Sequence, residues 1–200
     1  MTKFPLHLSS LIAFLKKWPG VGSKTAERYA FHLLGWDEDE LEKLADLLQN
    51  IKKKISSCSE CHALMEEGRC RYCDLSLRDS HVLCVIASPK DLFALEETRI
   101  FKGLYHVLGT LLSPLQSRNP QALKTDQLKL RVERLGVQEI IIALDSTLEG
   151  DATALYLKKE LETLPGLKVS RLAFGLPLNS TLDFIDGGTL VKALTGRQSL

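Results

Sequence analysis

The sequence predicts an α/β protein in three successive styles: a helical N-terminal part, a compact four-cysteine module, and a parallel sheet flanked by helices with a C-terminal extension. Three observations carry this. Apolar residues recur at helical spacing up to residue 55. Two Cys-x-x-Cys pairs, Cys58/Cys61 and Cys70/Cys73, are then separated by eight residues. After them, short continuous apolar runs such as Val82-Leu83-Cys84-Val85-Ile86 and Ile140-Ile141-Ile142-Ala143-Leu144 alternate with helical stretches. Runs of that kind suit strands covered on both faces, and their alternation with helices implies right-handed crossovers.

The helical part begins at 9–17, where Ser9 and Ser10 are expected to cap the first helix. Trp18-Pro19-Gly20-Val21-Gly22 must be a turn, with Gly20 and Gly22 free to take positive φ. A second helix follows over 23–34, with Ala26, Tyr29, Ala30, Leu33 and Leu34 on one side. The order helix, P-G-V-G, helix is similar to the helix-hairpin-helix DNA-binding motif. Its glycines let the backbone approach a phosphate, and the free N–H groups of the second helix point at it. Lys24 and Arg28, one turn apart, add cations beside the same strand. Such contacts read phosphates and not bases, so binding should be independent of sequence. Residues 1–36 hold five Lys/Arg against one Glu, although the whole chain carries only +1. A Walker A loop is excluded because Ser23 separates Gly22 from Lys24, and a dinucleotide-binding loop because a helix precedes it. A third helix is expected over 37–55, acidic at its start and basic at its end, with Leu41, Leu44, Leu48, Ile51 and Ile55 as a buried stripe.

The cysteine quartet has the spacing of a structural zinc site. Each Cys-x-x-Cys turn presents two thiolates, and the connector is long enough to bring the pairs together. Four thiolates leave no coordination position for a substrate water, so one zinc per chain would be structural. His62 is a neighbour and not a ligand. Cys84 reads as a small buried hydrophobe. Cysteines in a metal pattern, the absence of a long apolar run and a poor leader sequence make the cytoplasm the expected location.

Strands are expected over 81–87, 105–109, 139–144 and 169–174, and helices over 90–97, 126–135 and 151–164. The connection 111–124, rich in Ser, Pro, Gln and Asn, is expected to be a mobile surface loop. The third of these strands runs into Asp145-Ser146-Thr147-Leu148-Glu149-Gly150-Asp151. Chemistry in open parallel sheets collects beyond such strand ends, and three carboxylates there could hold magnesium.

This segment resembles the Toprim domain of topoisomerases, primases and related nucleases, whose motif there is D-x-D with a Glu at the end of the first strand. The chain departs from it twice, with Thr147 in place of the second Asp and Ala87-Ser88-Pro89 after the first strand. Too few acids remain for a two-metal phosphoryl-transfer site, so the domain is expected to lack catalytic activity. Across nearly its whole length the chain resembles the RecR family of recombination mediators. The likeness is carried by P-G-V-G-x-K-x-A-x-R (19–28), the cysteine quartet, G-L-Y-H-V-L-G (103–109), L-S-P-L (112–115), L-E-G-D-A-T-A-L-Y-L (148–157) and R-L-A-F-G-L-P (171–177).

The resemblance implies a helix-hairpin-helix domain over 1–56, a four-cysteine zinc module over 57–78, a Toprim-like domain over 79–174 and an oligomerisation segment over 175–200. It implies a non-enzymatic, ring-shaped tetramer that binds single- and double-stranded DNA. With RecO, and in many bacteria RecF, it would help load RecA onto single strands. DNA would meet Gly20, Gly22, Lys24 and Arg28, and the basic partner RecO would meet Asp145, Glu149 and Asp151. The alternative is a metal-dependent Toprim nuclease or primase-like enzyme using Asp145, Glu149 and Asp151.

Overall fold

The computed structural model describes residues 3–113 and 120–197, in two compact units, Met1–Lys54 and Ile55–Leu200. The first unit has three helices, α1 (Leu6–Leu15), α2 (Ser23–Leu34) and α3 (Glu38–Lys54). Small Ala26 and Ala30, one turn apart on α2, leave room for Ile12 and Leu15 of α1, and these four residues are its buried apolar centre. Helix α1 starts earlier than expected, directly after Pro5. Ser9 and Ser10 therefore lie inside it, and their hydroxyls donate back to the Phe4 and Leu6 carbonyls instead of capping. Pro5 was the better start signal, because proline suits the first turn of a helix and supplies no N–H.

On α2, Ala26 and Ala30 are buried as expected, but Tyr29 and Leu34 stay exposed. Helix α3 is capped by Asp37, whose Oδ1 accepts the Glu40 N–H at 2.7 Å. Its apolar stripe is not buried: Leu41, Leu48 and Ile51 are exposed, Leu48 by 57%, and Ile55, expected to end it, begins the next strand instead. Periodicity identifies the apolar face of a helix; it does not supply the surface that covers it.

The second unit opens with a two-stranded antiparallel hairpin, β1 (Ile55–Ser57) and β2 (Leu64–Glu66). A four-stranded, all-parallel sheet follows in the order β4-β3-β5-β6, with β3 (Asp79–Ile86), β4 (Gly103–Val107), β5 (Glu139–Ala143) and β6 (Lys168–Arg171). Strands β4 and β6 start a little earlier and end a little earlier than the apolar runs suggested. Helices α4 (Pro89–Glu97), α5 (Thr125–Leu135), α6 (Leu148–Leu161) and α7 (Gly187–Thr195) complete the unit. Alternation along the strands divides the core. Leu83, Val85, Ile140 and Ile142 face α5 and α6, where Leu128, Val132, Leu157 and Leu161 meet them. Cys84, Ile86, Tyr105 and Val107 face α4 and the cysteine module.

Helix α6 begins at Leu148 and not at residue 151. Thr147 is its cap, accepting the Gly150 N–H on Oγ1 at 3.1 Å. A Cβ at Gly150 would stand 2.0 Å from the Asp145 carbonyl oxygen, so the strand-to-helix turn closes only around glycine. The expected surface loop at 111–124 is corrected at its flanks, since Ser113, Leu123 and Thr125 are buried; residues 114–119 lie outside the described residues. Gly187 and Gly188 open α7, with Asp186 as cap. Among the described residues, no helix is long and apolar enough to cross a membrane.

Candidate metal centre and nucleic-acid interface

The β1–β2 hairpin delivers the first cysteine pair. Cys58 N–H donates to the Ala63 carbonyl at 2.8 Å and His62 N–H to the Cys58 carbonyl at 3.0 Å, which closes the knuckle. His62 takes φ +59 to complete the turn. The second pair turns likewise, with Cys73 N–H on the Cys70 carbonyl at 3.2 Å. The four Sγ atoms lie within 4.8 Å of one another, with Cys58–Cys73 at 3.9 Å and Cys61–Cys70 at 3.5 Å. A tetrahedral ion with bonds of about 2.3 Å needs sulfur–sulfur edges of about 3.8 Å. The quartet fits a metal ion. The His62 ring instead packs edge-on to His106, centroids 5.4 Å apart.

The module is fastened to the sheet. Val107 N–H donates to the Cys61 carbonyl at 2.8 Å, so the knuckle occupies part of the open edge of β4. Arg131 of α5 makes the second fastening. It is 4% exposed and donates from Nη2 to Cys73 Sγ at 3.5 Å and from Nη1 to the Tyr105 carbonyl at 2.6 Å. The neighbouring Cys61 thiol and the charge of Arg131 outweigh burial and bring the Cys73 thiol down to about 6. Burial pushes Cys70 up to about 11 and is the main reason Cys84 stands near 12. Sequence reasoning missed Arg131. The available signal was its place on the buried face of α5, three residues after Leu128 and next to Val132.

At the hairpin, Gly20 has φ +76, the left-handed region that glycine favours, and Val21 N–H closes the turn on the Trp18 carbonyl. Gly22 differs from expectation. Its φ is −79, an extended conformation open to other residues, so the turn does not demand glycine there. Neither glycine has a heavy atom within 4 Å of an added Cβ, which leaves both backbones open to an outside group. The first bond within α2 is Ala26 N–H to Gly22 O, and no side chain caps the helix. The N–H groups of Ser23, Lys24 and Thr25 come before that bond. Lys24 and Arg28 are exposed, and neither makes an ion pair among the described residues.

The acidic strand end sits where the chain order reverses, between β3 and β5. Its carboxylates are unequal. Asp151 is held by Arg171 at 2.5 Å and by Lys192 of α7 at 3.6 Å, and Arg171 keeps it below the usual carboxylate range. Glu149 is half-buried, less open than a free turn residue, and Asp145 is exposed. Lys192 also donates to Ser146 Oγ. Across the crevice, after β3, the nearest acid in sequence is Asp91, whose Oδ2 accepts the Ser88 N–H at 2.7 Å as part of the α4 cap.

A helix hairpin, a four-thiolate module and a parallel sheet with its switch point define a Toprim-domain protein with a helix-hairpin-helix. Family models agree: a Toprim domain matches residues 81–173, "RecR, helix-hairpin-helix" residues 8–52, and "RecR, C-terminal" residues 175–198. The chain is 53% identical over 195 residues to the recombination protein RecR of Protochlamydia amoebophila, covering 98% of each. It is 49% identical to that of Chlamydia caviae over 98% of each chain, and 48% identical to that of Chlamydia pneumoniae over the full length of both. The chain belongs to the RecR family of recombination proteins.

Proposed function

We propose that this protein is a non-enzymatic mediator of recombinational DNA repair. In this reading it binds single- and double-stranded DNA through Gly20, Gly22, Lys24 and Arg28 and assembles into a ring, a tetramer. With RecO, and with RecF where present, it helps load RecA on single strands in the cytoplasm. One observation carries the DNA contact: an uncapped helix N-terminus beside an open glycine turn, with two exposed cations that have no carboxylate partner among the described residues. Four weak phosphate sites on one assembly gain by effective concentration. The cysteine quartet holds zinc, chosen over other ions because four thiolates in a tetrahedron suit it best.

The absence of catalysis rests on side-chain chemistry. Ala87 cannot bind a metal, Asp91 is committed to a helix cap, and Thr147 is committed to α6. Asp145 and Glu149 then serve recognition of a basic partner, with Asp151 shared between that surface and Arg171. The test is the hairpin. Replacing Lys24 and Arg28 by Ala should weaken binding to unrelated sequences about equally and reduce the duplex salt slope by roughly 0.9 per lost contact. Unchanged affinity and slope would sink the hairpin reading, and a magnesium-dependent nick lost in Asp145→Ala would sink the non-enzymatic one.

A further inference from the structure

Beside the cysteine module, a cavity of about 310 Å³ opens between the Arg71–Arg78 stretch and the turn from α4 into β4. Four cations line it: Arg71, Arg78, Arg99 and Lys102. Its one carboxylate, Glu96, is already consumed. Arg78 grips it with two hydrogen bonds of 2.8 and 2.6 Å, and Tyr105 donates a third at 2.8 Å. Arg78 is thereby neutralised and immobilised. The other three cations have no carboxylate partner among the described residues, and Arg99 and Lys102 make no side-chain hydrogen bond there at all. A formal charge of about +3 is therefore concentrated on one concave surface, where low-dielectric walls focus the field on anions.

Two further features make this more than a solvated basic face. Arg99 takes φ +58 at the end of α4, a position that helices usually give to glycine. Arg99 holds a backbone conformation that arginine does not favour and lines the cavity there. One aromatic ring, Phe101, lines the cavity, and Tyr72 and Tyr105 are buried behind its residues. Arg71 and Arg78 lie 4.8 and 5.4 Å from the Tyr72 ring centre, and Phe101, half-buried, packs edge-on to Tyr105 at 5.0 Å. The Tyr72 ring steadies Arg71, the unpaired guanidinium on that side of the cavity, as a preorganised phosphate site requires.

We propose that this cleft is a second phosphate-binding site, which takes the backbone of single-stranded nucleic acid. Exposed Leu77 and the Phe101 ring offer apolar surface for a base next to the cations, the combination that sequence-independent single-strand binders use. The site lies wholly within the second unit and does not depend on the hairpin, though it extends the DNA-binding reading above.

The experiment measures anisotropy of a labelled oligothymidylate across a salt series for four proteins: unaltered, Lys24→Ala/Arg28→Ala, Arg99→Gly/Lys102→Gln, and all four changes together. Arg99→Gly relaxes the backbone, so lost binding reports on the guanidinium and not on misfolding. The cleft variant should bind more weakly, with a slope smaller by about 1.4, two contacts at ~0.7 each for a single strand. The hairpin variant should retain salt-dependent binding that the fourfold variant loses. An unchanged slope in the cleft variant, confirmed with Arg71→Gln on the opposite rim, overturns the second site and leaves the hairpin reading standing. An unchanged hairpin variant with a crippled cleft variant does the reverse. Thymidine monophosphate that competes as well as the oligomer, at equal phosphate concentration, assigns the cleft to free nucleotides and overturns the backbone reading.

Discussion

Arg131 shows how much one buried side chain can connect. Its guanidinium reaches a cysteine of the metal quartet, the carbonyl of Tyr105 on β4, and the ring of His106 at 3.4 Å. A four-thiolate zinc centre carries a net negative charge, and a buried cation beside it offsets that charge while fixing the orientation of Cys73. Outer partners of this kind typically govern metal affinity by about 10–100-fold. Arg131→Met, which keeps an unbranched apolar stem and removes the donors, should therefore release zinc to a chromogenic chelator faster and at lower chelator concentration. Cys70→Ser should go further, lowering the thermal midpoint and causing aggregation, because structural zinc contributes on the order of 10–16 kcal/mol at neutral pH. Metal analysis that finds no zinc in protein purified without chelators would remove both expectations.

Among the elements, the N-terminus of α6 is where the two functional readings part. Thr147 stands where the Toprim pattern has a second acid, and its hydroxyl closes the helix on Gly150. The replacement exchanges a potential metal ligand for a cap of similar geometry, so the turn survives while the chemistry changes. Asp151 is held by Arg171 and Lys192, so Asp145 and Glu149 are the carboxylates of this turn without an ion pair among the described residues. Glu149→Lys should weaken RecO binding most clearly at low salt, since charge pairing at an interface rim is screened. DNA binding by the protein alone should persist. Normal partner affinity and normal RecA loading would leave Glu149 with no role in recognition.

For the whole molecule, exposed apolar surface is the feature that a single chain leaves unexplained. Leu48 and Ile51 on α3 are more than half exposed, as are Leu178, Phe184, Val191 and Leu194 in the C-terminal segment. Apolar side chains of this size mark an interaction surface where they form a continuous patch. Ring formation would bury both sets, in line with the oligomerisation proposed above. Light scattering should then give a mass well above 22.3 kDa that falls with dilution. Truncation after residue 174 should shift it down without unfolding the sheet. A stable monomer at micromolar concentration would count against the ring.

The sequence by itself determined what depends on local spacing. Helix α2 follows from its apolar period and the glycine turn before it, and the metal quartet from two Cys-x-x-Cys pairs. The β3 and β5 runs suited covered strands, and they are strands. Their partners were another matter. That α3 would leave its stripe open, that Arg131 would turn toward Cys73, and that Arg99 and Lys102 would share a cleft with Arg71 all depend on residues distant in the chain. Propensity and periodicity are properties of neighbours in sequence. Burial, charge pairing and the shape of a cleft arise only when separate elements meet, and so only the tertiary structure decided them.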